Sequence, residues 1–211
     1  MSASVNITAS TARVLTLGDV ASLRAGYPFR SAIPMVEDGD VLALQLKDFH
    51  GGSRPDWANV TRTRLPRAPS KEEWLKDEDI VFIFRGTRFF AAVLEEVPAA
   101  AVASTQFMLI RVKEPGVVLP AFIAWQLNQS PAREYFHRNS EGTAQRSLRR
   151  AVIEGVTLVA PSLAFQRSVV DLARLAERER AAVEELIKIR EQQLNRVAVD
   201  LLAVAEARES K

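Results

Sequence analysis

Cysteine is absent from the chain, and histidine occurs only as His50 and His137. The first absence excludes a disulfide framework, a thiolate zinc site and a cysteine nucleophile, and it points to an intracellular, cytoplasmic protein. Long apolar runs are missing as well. None approaches the ~18 residues needed to span a bilayer, so no membrane partner is expected. The opening stretch MSASVNITASTAR has no apolar core of signal-peptide length before its first arginine, so secretion is not expected. Residues 1–12 are small and polar without periodicity and read as a frayed arm. An excess of one charge is also lacking. The 211 residues carry 28 Lys and Arg against 26 Asp and Glu, a net charge of +2, which excludes a polycationic binder and confines any nucleic-acid surface to a local patch.

Catalytic signatures are equally scarce. There is no GxxxxGK[ST] phosphate loop, no GxSxG elbow and no HExxH pair. An Asp/Asn-Pro-Pro-aromatic tetrapeptide is absent too, and Pro55-Asp56 has no companion of the Glu-x-Lys form that many nucleases carry. His50, beside Gly51 and Gly52, reads as a loop residue. No catalytic residue, metal ligand or cofactor is assigned, and a non-enzymatic role is expected.

What is present is a chain with 47% hydrophobic residues, enough for one substantial core. Residues 14–23 read as a short helical turn opening into a loop at Gly26 and Pro28. Val41 to Leu46 alternates its largest side chains as a half-buried strand does. Ile80-Val81-Phe82-Ile83-Phe84 is a continuous run suited to a strand covered on both faces. Arg85-Gly86-Thr87-Arg88 turns it into a return strand, Phe89 to Leu94, making a hairpin. Another strand is expected over 104–112, helices over 120–128 and 131–138 with proline in the first turn, and a last strand over 157–160. The class is α/β (α+β), with a globular domain at 1–160 and a helix at 161–211.

That helix is the clearest element. No Gly or Pro occurs from Ser162 to Lys211, and most residues are strong helix formers. Apolar residues recur at Phe165, Val169, Leu172, Ala176, Val183, Ile187, Leu194, Val197, Leu201 and Val204, a coiled-coil seam with a stutter, in which Glu179 and Arg190 occupy two positions. Some 46 residues at ~1.5 Å each make a rod of roughly 70 Å, far more than capping one small core requires. The seam calls for a partner.

Three basic clusters lie on the globular part. The stretch 51–70 carries Arg54, Arg62, Arg64 and Arg67 with Trp57 among them and Asp56 as its one acid. It reads as a long surface loop, and either an ordinary solvated insertion or a DNA-facing segment fits it. Arg85 and Arg88 sit at a hairpin tip, and Arg146, Arg149 and Arg150 follow Gly142. Basic side chains on separate loops of one domain are what phosphate and base-edge contacts need.

The order of the motifs adds to this. The sequence runs from the strand ending at Arg85-Gly86-Thr87, through Val102-Ala103-Ser104-Thr105-Gln106-Phe107 and the helix Ala121-Phe122-Ile123-Ala124-Trp125-Gln126-Leu127-Asn128-Gln129-Ser130. It continues with Gly142-Thr143-Ala144-Gln145-Arg146-Ser147-Leu148, then Val156 to Gln166 entering the long helix. Together, over roughly residues 13–205, these resemble the specificity (S) subunit of type I restriction-modification systems. The Gly-Thr-x-Gln-x-x-Leu segment followed by a strand and a Pro-x-Leu-x-x-Gln helix entry is the most specific part. Family members usually carry two target recognition domains and two spacer helices, whereas one of each is found here, the form of a half-subunit. The entry commonly reads Pro-Leu-x-Glu-Gln, and Phe165 replaces the acid.

The resemblance implies a non-catalytic protein that reads double-stranded DNA and positions a DNA methyltransferase (M) subunit, with a restriction/translocase (R) subunit as a further partner. It also implies antiparallel packing of spacer helices, met in a half-subunit by a homodimer through Leu172, Val183, Ile187, Leu194, Val197 and Leu201. The residues expected to face DNA are Arg54, Trp57, Arg62, Arg64, Arg85, Arg88, Thr143, Gln145 and Arg146, with Gln145 a candidate for base contact and most arginines on phosphates. The rival reading is a coiled-coil scaffold whose globular head binds protein.

Overall fold

The structure, a computed structural model, describes the backbone of residues 12–30, 32–49, 54–142 and 145–209 and the side chains up to residue 200. His50, Thr143 and nearly all of the expected N-terminal arm lie outside the described residues, as do the side chains of Leu201 and Val204. The chain divides into two compact units, Met1–Ser168 and Val169–Lys211.

In the first unit the chain runs through β1 (Arg13–Thr16), α1 (Leu17–Val20), β2 (Ala21–Ala25), β3 (Val41–Leu44), β4 (Thr61–Thr63), β5 (Ile80–Ile83), β6 (Arg85–Gly86) and β7 (Phe90–Val93). It continues with β8 (Ala101–Ala103), β9 (Phe107–Val112), α2 (Pro120–Leu127), α3 (Ser130–Asn139), β10 (Arg146–Ser147), α4 (Arg150–Glu154), β11 (Thr157–Ala160) and the start of α5 (Leu163–Glu209).

The apolar run at β5 is the centre of the domain. β5 pairs antiparallel with β7 and with β9, giving a four-stranded sheet in the order β2-β9-β5-β7. Strand periodicity sends alternate side chains to opposite faces. Val81 and Ile83 accordingly join a core cluster with Leu42 and Leu44 of β3 and Ala101 and Ala103 of β8. Phe82 points the other way, its ring centroid 5.1 Å from that of Phe136 in α3. Both faces of β5 are therefore covered, as its composition predicts. The second sheet, β4-β3-β8, pairs β3 antiparallel with β4 and parallel with β8.

Two expectations are corrected. The segment Leu17–Val20 is only one helical turn, opened by Thr16, whose N–H and hydroxyl both donate to the Asp19 carboxylate, and residues 21–25 pair with β9 as an edge strand instead of opening into a loop. The stretch 51–70 is not wholly loop. Trp57–Asn59 form a 3₁₀ turn capped by Asp56, and Thr61–Thr63 add a strand to the second sheet, with Thr61 and Thr63 buried and Arg62 exposed. β-branched threonines on a half-buried edge outweigh the polar composition.

α2 is fastened at both edges by carboxamides. Asn128 accepts from the Ala91 N–H (2.9 Å) and donates to the Ala91 carbonyl (2.8 Å), mimicking a further strand beside β7. Gln126 does the same to Val159 in β11, at 3.0 and 3.1 Å. At the entry to α5, fully buried Gln166 accepts from the Leu119 N–H and donates to the Val117 and Pro161 carbonyls. A buried carboxamide is tolerated only when its groups are paired, and here each is.

α5 is a single helix of 47 residues. In the unit Val169–Lys211 the seam residues Leu172, Val183, Ile187, Leu194 and Val197 are 51–70% exposed. Leu175 and Leu186 are also exposed and flank the seam on one side at helical spacing, which widens the apolar stripe.

Candidate nucleic-acid interface

Two of the three basic clusters, separated by some sixty residues in sequence, meet in one ribbon. β6 and β10 pair antiparallel, Gly86 opposite Arg146 and Arg85 opposite Ser147. The Leu148 N–H donates to the Phe84 carbonyl (3.0 Å), and Leu148 itself is buried, so the ribbon is anchored in the core at the end of β5. The loop carrying Gln145 and Arg146 closes on itself, because Glu141 and Ser147 exchange both backbone hydrogen bonds at 2.9 Å. Two glycines permit this path. Gly86 lies at φ +121° and Gly142 at φ +89°, conformations that other residues adopt only with strain, and a side chain at Gly142 would also meet the Gln145 carbonyl.

The arginines of the ribbon are held without being neutralised. Arg85 lies 4.9 Å from the centroid of the buried Phe84 ring, and Arg88 lies 5.2 Å from that of Phe90. A ring face attracts a guanidinium but leaves its charge available to an anion. Arg146 contacts the Nδ1 atom of His137 at 2.7 Å. Among the described residues, no carboxylate lies within ion-pair distance of Arg85, Arg88 or Arg146. Gln145 is exposed beside them. Farther along, Arg149 pairs with Glu141 and Arg150 with Glu154.

The arginines at 51–70 have a different environment. Arg54 pairs with Glu95 at 2.8 Å and Arg64 with Asp38 at 2.5 Å. Arg67 forks onto both oxygens of Glu73, at 2.6 and 2.9 Å, and stacks over the buried ring of Tyr27. The Glu73 contact raises the Arg67 pKa, and the same hydrogen bonds hold the Glu73 carboxyl below its usual range. Trp57 is half-buried against the core and donates from Nε1 to the Glu95 carbonyl (3.0 Å). Arg62 stays exposed on β4 with no ion pair among the described residues.

Arg54 and Trp57 therefore attach at Glu95, beyond the Val93 end of β7, whereas Arg88 precedes Phe90 at its opposite end. The four residues of β7 alone separate these points by roughly 13 Å. The structure joins Arg85, Arg88, Gln145 and Arg146 and leaves Arg54 and Trp57 at the other end of β7, while Arg62 stands on β4 of the second sheet and Arg64 just after it. His137 was not singled out from the sequence. Its only signal is the ribbon pairing that brings Arg146 to it, which no local spacing reveals.

Among the described residues, no group of three or more His, Asp or Glu side chains is placed to hold a metal ion. No helix among the described residues is long and apolar enough to cross a membrane.

No family model matches this sequence, and no curated protein does. Solved structures do match. The S subunit of the type I restriction-modification system from M. genitalium superposes with a TM-score of 0.57 over 90% of this chain and 44% of that one, at 11% identity. A chain from a structure of type I R-M complex assembly and conformational transition gives 0.60, at 19% identity over 88% of this chain and 43% of that one. The HsdS subunit from Thermoanaerobacter tengcongensis gives 0.54, at 16% identity over 82% and 39%. The chain thus has the fold of these S subunits, a mixed α/β domain followed by a long helix, and spans less than half the length of each.

Proposed function

We propose that this chain is a non-catalytic, sequence-specific DNA-binding subunit of a type I restriction-modification complex. In this reading it dimerises through its terminal helix to read a two-part target and positions a methyltransferase subunit on that DNA. The observation that carries the reading is the ribbon. Arg85 and Arg146 of the ribbon, with Arg88 just beyond it, have no carboxylate partner among the described residues and stand beside an exposed glutamine, on a fold shared with S subunits. Unneutralised guanidinium groups on one surface suit a polyanion, and Arg and Gln are the side chains that bond guanine and adenine edges. Loop arginines 54 and 64, tied to acids, are the weaker members of the expected DNA-facing set.

Salt titration of duplex binding tests the assignment. A protein contacting Z phosphates shows log K falling with log[salt] with a slope of about −0.9Z. Arg85→Ala and Arg88→Ala should each weaken binding to all duplexes and reduce the slope by roughly 1. Arg54→Ala and Arg64→Ala should change it far less. Salt-independent binding, or equal effects at all four positions, would contradict the ribbon as the DNA surface.

A further inference from the structure

We infer that His137 is the positioning residue for Arg146, and that Arg146 is the arginine of this site that reads a base. The inference rests on the proposal that the β6/β10 ribbon faces DNA. A guanidinium has only donors, so the 2.7 Å contact makes Nδ1 of His137 the acceptor and places the imidazole proton on Nε2. The imidazole is fixed from behind. It lies in the last turn of α3, with its ring centroid 5.7 Å from that of Phe89, which is buried and packs in turn on Phe136. The Ser140 hydroxyl donates to the His137 carbonyl (3.0 Å) and holds the helix end. The Arg146 backbone is fixed independently, by its pairing with Gly86 and by the Glu141–Ser147 closure of the loop.

Arg146 is thus restrained at both ends of its side chain. A carboxylate in place of His137 would hold the guanidinium equally well but cancel its charge; a neutral imidazole holds it and leaves the charge for DNA. Arg85 and Arg88 rest on ring faces, which fix a distance but supply no acceptor to set the direction of the N–H groups. Direction matters for a fork on the O6 and N7 atoms of guanine and much less for a phosphate. This assigns base reading to Arg146 and phosphate contact to Arg85 and Arg88.

Competition binding with a duplex selected from a random pool and a scrambled duplex, methyltransferase subunit present, tests this. Arg146→Ala should lose preference at one base pair per half-site by roughly tenfold or more, the scale of a lost bidentate contact. His137→Phe keeps a ring against Phe89 and removes the acceptor. It should lose a large part of the same preference at the same base pair, with scrambled-duplex affinity and melting temperature unchanged. His137→Asn, which returns an acceptor near the position of Nδ1, should restore it. Wild-type discrimination in His137→Phe, with Arg146→Ala defective, would overturn the positioning role and leave DNA reading intact. Absence of any sequence preference in the wild type would overturn both. Independently of DNA, imidazole ¹⁵N shifts of the intact protein should show His137 with the proton on Nε2; a proton on Nδ1 would overturn the inference even if His137→Phe failed to fold.

Discussion

An arginine brings a fixed charge, but its neighbours decide whether a ligand can use it. Arg67 shows the structural outcome: its guanidinium is spent on Glu73 and its peptide N–H and carbonyl on the Tyr27 hydroxyl. That arrangement predicts a pH dependence. The Arg67 hydrogen bonds, assisted by the Ser70 N–H, lower the Glu73 pKa against the opposing effect of burial. Asp19 is lowered in the same direction, first by the Thr16 backbone N–H and then by its hydroxyl. The unfolded chain takes up these protons near the ordinary carboxylate pKa of roughly 4, and the folded chain only at lower pH. Their contribution to stability is therefore complete above that range and is lost as pH falls through and below it. Melting temperature should decline on acidification from pH ~5 to ~3, and Glu73→Gln should flatten that decline while lowering the melting temperature at pH 7. A Glu73→Gln profile parallel to wild type would remove Glu73 from the explanation. The basic clusters were legible in the sequence. Which arginines are neutralised was not, because Asp38 and Glu95 lie far along the chain from Arg64 and Arg54 and only folding sets them together.

Elements with their own periodicity were legible: β5 with its return strand, the two short helices, the last strand and α5 stand where composition places them. The strands that were missed are short and take their stability from pairing. β8 is three small apolar residues, Ala101–Ala103, with no alternation to read, and it exists because β3 lies parallel beside it. Three of the residues that carried the family resemblance have a mechanical explanation here. Gln126, Asn128 and Gln166 serve as backbone surrogates that clasp strand edges and the helix entry, so their regular placement reports the fold and not DNA contact. Gln166→Ala would strand the Leu119 N–H and two carbonyls in a buried site, and an unsatisfied buried group costs ~1–3 kcal/mol. The expected loss of stability is about 2–4 kcal/mol, measured by urea unfolding. A loss below 0.5 kcal/mol would show that water or a local shift replaces the clasp.

At the scale of the whole molecule, the long helix presents apolar side chains that a lone chain leaves in water. Burying such residues contributes ~1.5–3 kcal/mol each, which favours a second copy as the partner on the proposed reading. Light scattering should give about twice the 23.4 kDa chain mass, and Leu194→Asp should halve it with the head domain still folded. A soluble, helical monomer at micromolar concentration would contradict the dimer. Two copies related by a two-fold axis present their ribbons in inverted orientation, so they require inverted half-sites. Selection of bound sequences from a random duplex pool, with the methyltransferase subunit present, tests this most directly. The account predicts an interrupted palindrome, two inverted half-sites separated by bases that show no preference. A single uninterrupted asymmetric motif would contradict the symmetric dimer, and a pool that emerges unenriched would contradict sequence-specific DNA binding itself.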